Sequence, residues 1–152
     1  MTIDIGTKAP DFTLPTDGGG TVSLKGFKGK KVVLYFYPKD STPGCTTEGC
    51  DFRDNFKLFE GANTAIIGIS KDSVKRHDNF KAKYEFPFLL ASDEGSNTCE
   101  DYGVWVEKSM YGKKYMGIER ATFLIDEEGK VAKVWRKVKV KGHVAEVLEA
   151  VQ

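Results

Sequence analysis

The stretch that decides the fold is Val32-Val33-Leu34-Tyr35-Phe36-Tyr37-Pro38-Lys39-Asp40-Ser41-Thr42-Pro43-Gly44-Cys45. Its first six residues are an unbroken apolar and aromatic run, the pattern of a strand buried on both faces. Pro38 stops that strand. Residues 41–59 then change period, with Cys45, Phe52, Phe56 and Phe59 at helical spacing and charged residues between them. Thr42 suits an N-cap and Pro43 the first helical position, so a helix is predicted from about Thr42, with Cys45 in its first turn. A buried strand, a tight loop and a cysteine at a helix N-terminus form one unit. Free backbone N–H groups and the helix dipole favour an anion there, which makes the thiolate form accessible and nucleophilic.

Outward from this unit the chain alternates. Residues 9–24 read as a small hairpin around Asp17-Gly18-Gly19-Gly20, and residues 25–31 as a basic, glycine-punctuated loop. Residues 64–69 form a second buried strand. Asp72-Ser73 opens a helix to about Tyr84, with Val74, Phe80 and Tyr84 inward. A short strand at 88–90 and one or two helical turns at 97–102 follow. Residues 120–125 and 131–135 pair across the turn Asp126-Glu127-Glu128-Gly129. Residues 143–151 close the chain as a helix that buries Val144, Val147, Leu148 and Val151. Strand–helix–strand units followed by an antiparallel pair predict an α/β fold with a mixed central sheet, helices on both faces and an N-terminal β-hairpin. A thioredoxin-like layout fits, as a single domain over residues 1–152.

The chain has 152 residues, 23 Lys and Arg against 22 Asp and Glu, and three cysteines. Such a length folds without disulfides or metal. The near-zero charge argues against nucleic acid and membrane surfaces as partners. The basic residues Lys130, Lys133, Arg136, Lys137, Lys139 and Lys141 include one interleaved aromatic, Trp135, and read as an exposed strand or loop. The N-terminal residues Met1 to Gly6 lack the basic start and apolar run of a secretory signal, so a cytoplasmic protein is expected. Thiols are kept reduced there, and a close cysteine pair reads as catalytic, redox or metal-binding. Metal is disfavoured, because Cys45 and Cys50 with only His77 and His143 elsewhere do not make a zinc pattern. The two histidines are expected on surface helices without a chemical role. Cys99 reads as a helical cysteine facing the core, the alternative being a second resolving thiol. Trp105 and Tyr111 are candidates for lining a substrate approach or for ordinary packing.

In an intact α-helix, residues five apart have Cα atoms roughly 8–9 Å apart and point about 140° away from each other. A disulfide needs less than about 7 Å. A Cys45–Cys50 bridge would therefore require the first turns of the helix to unwind. Gly44 and Gly49 lower the cost of unwinding, since a glycine weakens a helix interior by about 0.5–1 kcal/mol.

At this segment the sequence resembles a peroxiredoxin. The family pattern of Pro, three residues, Thr or Ser, two residues and Cys is met by Pro38, Thr42 and Cys45. Ala9-Pro10-Asp11-Phe12 resembles the family's N-terminal signature, and Tyr35-Phe36-Tyr37-Pro38 precedes the loop. Thr42-Pro43-Gly44-Cys45-Thr46, Tyr102-Gly103-Val104-Trp105 and the stretch Gly117-Ile118-Glu119-Arg120-Ala121-Thr122-Phe123-Leu124-Ile125-Asp126 are similar to the bacterioferritin comigratory protein, or peroxiredoxin Q, subfamily.

The resemblance implies a thiol peroxidase acting on hydrogen peroxide and organic hydroperoxides in antioxidant defence. Cys45 would be the peroxidatic cysteine, oxidised to a sulfenic acid. Thr42 would hydrogen-bond the peroxide and hold the thiolate. Arg120 would stabilise the thiolate and the developing charge. Pro38 would shield the site, and backbone N–H groups of Gly44 and Cys45 would donate to the peroxide. Cys50 would be the resolving cysteine, closing an intramolecular disulfide that thioredoxin reduces. No metal, flavin or haem is implied, and a monomer is expected. Glu48 has two readings: a buffer for Arg120, or simply a charge suited to the first helical turn, which sequence alone favours. Two rival functions remain: a general thiol–disulfide oxidoreductase, disfavoured because four residues separate the thiols where Cys-x-x-Cys has two, and a non-enzymatic binding module.

Overall fold

The computed structural model describes residues 3–152. Met1 and Thr2, on which the N-terminal targeting expectation partly rests, lie outside the described residues. The central strand β3 (Lys31–Phe36) forms from the apolar run and is buried from Val32 onward. It pairs in parallel with β4 (Thr64–Ser70), which pairs in parallel with β5 (Leu89–Ser92). On its other side β3 runs antiparallel to β8 (Ala121–Ile125), and β8 antiparallel to β9 (Val131–Trp135). The five-stranded order β5-β4-β3-β8-β9 is the expected mixed sheet. Ahead of it, β1 (Thr13–Pro15) and β2 (Thr21–Ser23) make the expected N-terminal hairpin.

Side chains alternate across β3 and divide the core. Val33, Tyr35 and Tyr37 pack with Phe52, Phe59, Phe80, Val144 and Val147. These come from α1 (Pro43–Asp54), α2 (Phe56–Gly61), α3 (Val74–Tyr84) and α5 (His143–Val151), so the longer helices share this face. Val32, Leu34 and Phe36 pack on the other face with Leu14, Val22, Cys99 and Tyr102. Leu14 and Val22 come from the hairpin, and Cys99 from the short α4 (Thr98–Asp101). Helices thus flank both faces, unequally.

The structure adds and corrects several elements. The predicted helix over residues 41–59 is two: it breaks at Asn55 (φ −108°, ψ 7°), whose side-chain amide donates to the Asp51 carbonyl at 2.9 Å. The break leaves both Phe52 and Phe59 fully buried. A further hairpin, β6 (Trp105–Met110) with β7 (Lys113–Ile118), was not expected from the sequence. Its strands are mostly exposed and lack clean alternation. Its turn is Tyr111-Gly112 with φ of +52° and +79°, the geometry of a two-residue primed turn. Tyr111 is 98% exposed at that tip and packs on nothing, which removes it from any pocket lining. Trp105 instead packs partly against the core, with Lys71 Nζ 4.9 Å from its ring centre.

The two histidines are also corrected. His77 and His143 are buried, at 0% and 4% exposure. His77 lies three residues from both Val74 and Phe80, on the apolar stripe of α3, so the periodicity already pointed it inward. His143 Nε2 sits 2.8 Å from Thr122 Oγ1. Burial, helped by the positive charge of Arg120, pushes its pKa down to about 4.

Gly68 shows how tightly the β3–β4–β5 centre closes. A Cβ there would lie 2.8 Å from Tyr35 Cζ and 2.9 Å from Leu90 Cδ2. The prediction is that Gly68→Ala lowers stability by about 1–3 kcal/mol through overpacking, read from the midpoint of urea unfolding.

Candidate active site

β3 delivers the chain to the site at its C-terminal end. Pro38 and Lys39 are exposed, Asp40 is buried, and Ser41 adopts a left-handed φ of +65° that turns the chain into α1. Thr42 takes the N-cap backbone position (φ −82°, ψ 155°), and its carbonyl accepts from Thr46 N–H at 2.9 Å. Its hydroxyl does not cap the helix. It donates to the Lys39 carbonyl at 2.9 Å, closing the loop on itself. The N–H groups of Gly44 and Cys45 lie too early in the helix to meet a carbonyl four residues back. Cys45 lies in the first turn and is 2% exposed.

Arg120, immediately before β8, reaches across to this turn. Its Nη2 donates to Cys45 Sγ at 3.3 Å, and its Nη1 donates to Glu48 Oε1 at 2.7 Å. One guanidinium therefore bridges the thiol and a carboxylate one helical turn later. Gly44 makes room for it: a Cβ at that position would lie 3.1 Å from Arg120 Nη2. Glu48 is fully buried. Of its two readings, the pairing with Arg120 is the one the geometry favours over a charge merely suited to the first helical turn, and the 45–48–52 spacing puts it on the inward face. Burial pushes its pKa up to about 7, against the opposing pull of Arg120. Its Oε2 and the hydroxyl of Tyr35 are buried without a hydrogen-bond partner among the described residues.

Of the residues expected at the site, Cys45, Gly44 and Arg120 come together directly, and Thr42 and Pro38 belong to the adjoining loop. Cys50 lies further along α1, half-buried, with its thiol pKa raised chiefly by burial. All three cysteines are free. Cys99 is fully buried on the opposite face of the sheet, its N–H donating to Asp93 Oδ2 at 2.8 Å. Burial first, and Asp93 second, hold its thiol protonated. Gly49 has a packing reason as well as a conformational one, since a Cβ there would lie 2.6 Å from Phe86 Cζ. Sequence reasoning missed Asp40 and His77, whose side chains meet beneath the loop. Among the described residues no group of three His, Cys, Asp or Glu is placed to hold a metal ion. Nor is any helix among the described residues long and apolar enough to cross a membrane.

This geometry agrees with comparison to known proteins. The sequence pattern of the AhpC/TSA family matches residues 5–134. The chain belongs to that family, as a peroxiredoxin of the bacterioferritin comigratory type. It is 62% identical to the peroxiredoxin bcp of Coxiella burnetii, covering 97% of this chain and 98% of that one. Against peroxiredoxin Bcp of Bacillus subtilis it is 57% identical, covering 100% and 97%. Among solved structures it is similar to the Xanthomonas campestris bacterioferritin comigratory protein, described for alkyl peroxide reduction activity. The TM-score there is 0.91 at 49% identity, covering 97% of both chains. The peroxiredoxin fold is therefore shared along nearly the whole chain, and the β6–β7 hairpin is the part least legible without it.

Glu48 makes the peroxiredoxin site pH-dependent. Its folded pKa lies above the ordinary 4.5, so the unfolded chain ionises it first. The native state thus loses stability as pH rises from about 4.5 through 7 and keeps that stability below the window. At about 1.4 kcal/mol per pKa unit the loss is roughly 3 kcal/mol. Glu48→Gln is predicted to remove this part of the pH dependence, measured as urea stability at pH 5 against pH 8.

Proposed function

We propose that this peroxiredoxin is a thioredoxin-dependent peroxidase for hydrogen peroxide and organic hydroperoxides. In this reading Cys45 is the peroxidatic and Cys50 the resolving cysteine. The observation that carries it is the 3.3 Å contact from Arg120 Nη2 to Cys45 Sγ at the start of α1. A fixed cation and the helix N-terminus both favour an anionic sulfur, and both remain in place as charge moves onto the peroxide.

The Cys45 thiolate attacks one oxygen of the substrate. The O–O bond breaks, a proton is taken up by the leaving oxygen, and the products are water or an alcohol and a Cys45 sulfenic acid. Arg120 Nη2 stabilises the charge on both sulfur and departing oxygen. Backbone N–H groups of Gly44 and Cys45 donate to the bound peroxide, and the Thr42 hydroxyl leaves the Lys39 carbonyl to do the same. Pro38 covers the approach.

The Cys50 thiolate next attacks the sulfenic sulfur and closes a Cys45–Cys50 disulfide, while the departing hydroxide takes up a proton and leaves as water. The reductant's two thiols return both cysteines to the thiol form and become a disulfide themselves. Both cysteines lie on one helix, so a monomer suffices, and a cytoplasmic setting supplies the reducing power. The cost of closing the bridge falls on α1. Its first turns release the Glu48–Arg120 pair and the 3.0 Å bond from Thr47 Oγ1 to the Pro43 carbonyl. Phe52, fully buried, marks where the unwinding stops.

The test is a peroxidase assay coupled to thioredoxin and its reductase. Cys45→Ser is expected to abolish turnover. Cys50→Ser is expected to allow one oxidation of Cys45 and then stall, and Cys99→Ser to keep full activity. Full turnover by Cys45→Ser would overturn the mechanism, and loss in Cys99→Ser with Cys50→Ser intact would move the resolving role. Oxidation of the wild type is further expected to lower its far-UV helical signal, and an unchanged signal in the bridged protein would rule out unwinding.

A further inference from the structure

Between Tyr37 and Cys45 one side chain is fully buried, and it is charged by type: Asp40, at 2% exposure. It is held from three directions. Tyr37, at the end of the central strand, donates its hydroxyl to Asp40 Oδ1 at 2.5 Å. His77 of α3, fully buried, places Nδ1 2.6 Å from Asp40 Oδ2. The Asp40 N–H donates to Asp72 Oδ2 at 2.8 Å, an oxygen that also accepts from Ser70 Oγ at 2.7 Å. His77 is itself fixed, its Nε2 lying 3.0 Å from the Ala91 carbonyl of β5.

The proton count constrains this cluster. A carbonyl only accepts, so His77 Nε2 carries its proton. The short Nδ1–Oδ2 contact then holds one further proton, on the imidazole or on the carboxyl. Either way the pair is neutral as a unit, which makes its complete burial tolerable. A buried ionisable pair is weak evidence for stability, and its best-attested use is to specify one arrangement over others. Here the arrangement specified is that of the loop carrying Cys45, whose neighbours Pro38, Lys39, Ser41 and Pro43 are exposed and offer little packing of their own.

We propose that Asp40 and His77 form a buried latch that positions the Cys45 loop, so that the thiolate is presented to Arg120. Neither touches the reacting atoms; they are positioning residues, and the inference rests on Cys45 being the peroxidatic cysteine. Because Asp40 is fixed on three sides, the loop hinges after it, at Ser41 with its left-handed backbone. An asparagine at position 40 can keep every side-chain bond. Its oxygen accepts from Tyr37, and its amide donates to an unprotonated Nδ1 while Nε2 still donates to Ala91.

The test isolates the first chemical step in a Cys50→Ser background, following Cys45 sulfenic acid by dimedone labelling after mixing with hydrogen peroxide. Asp40→Ala and His77→Phe are expected to slow labelling at least tenfold while the far-UV spectrum stays native. Asp40→Asn is expected to stay within threefold of the background protein. Labelling within twofold of background in both Asp40→Ala and His77→Phe would overturn the latch. So would an Asp40→Asn rate as low as that of Asp40→Ala. If the two disruptive variants do not fold, Tyr37→Phe removes one bond to Asp40 without changing shape. It is then expected to slow labelling severalfold, and an unchanged rate overturns the proposal. Absence of labelling in the background protein itself would instead overturn the assignment of Cys45.

Discussion

A guanidinium can serve a sulfur anion only while something holds it in place, and at this site that something is a buried carboxylate. Arg120 spends one nitrogen on Glu48 at 2.7 Å and another on Cys45 at 3.3 Å. The carboxylate is costly, since burial raises its pKa to about 7, and without Arg120 it would cost more. Removing either partner leaves the other charge buried and poorly compensated, so each depends on the other. Gly44 belongs to the same constraint, because a side chain there would press on the guanidinium. Helix start, glycine, arginine and glutamate are one device, distributed over residues 44 to 120.

The same constraint opposes the second half of the proposed cycle. Glu48 lies between Cys45 and Cys50 on α1, so unwinding the helix toward the proposed disulfide would break the Glu48–Arg120 pair beside Cys45. The site thus favours the wound helix while the sulfur is anionic. In the proposed cycle, conversion of Cys45 to a neutral sulfenic acid would weaken the attraction of Arg120 for it, and unwinding would meet less resistance. In that cycle, chemistry at the sulfur and conformation of the helix would be coupled through Arg120, which touches both Cys45 and Glu48.

Most of the scaffold was legible because its signals are local. The run from Val32 to Tyr37 reads as a central strand, and Thr42 and Pro43 place the helix start. The β6–β7 hairpin was not legible, because strands such as Lys113-Lys114-Tyr115-Met116 bury little and carry no alternating pattern. The hydroxyl of Thr42 was misjudged for a different reason. Its type suits a cap, but the carbonyl of Lys39 competes for it, and only the loop's closure decides between them. His77 reads by residue type as a surface group, and Glu48 as a charge suited to the first helical turn, although the spacing of both points inward. In both, a long-range partner at positions 120 and 40 overrides the usual preference of a charged side chain for water.

Those two misreadings share a physical origin. A polar residue on an apolar stripe is stable only if a distant segment supplies its partner, and sequence spacing within one helix says nothing of that segment. Arg120 lies 72 residues from Glu48, and Asp40 lies 37 from His77. Each inward polar residue therefore reports a long-range contact, and in this chain both contacts converge on the short loop and helix turn that carry Cys45. The core of the fold could be built from apolar residues alone. Two of its buried polar pairs, Glu48–Arg120 and Asp40–His77, meet the segment that carries Cys45, while His143–Thr122 and Asp93 lie elsewhere in the fold.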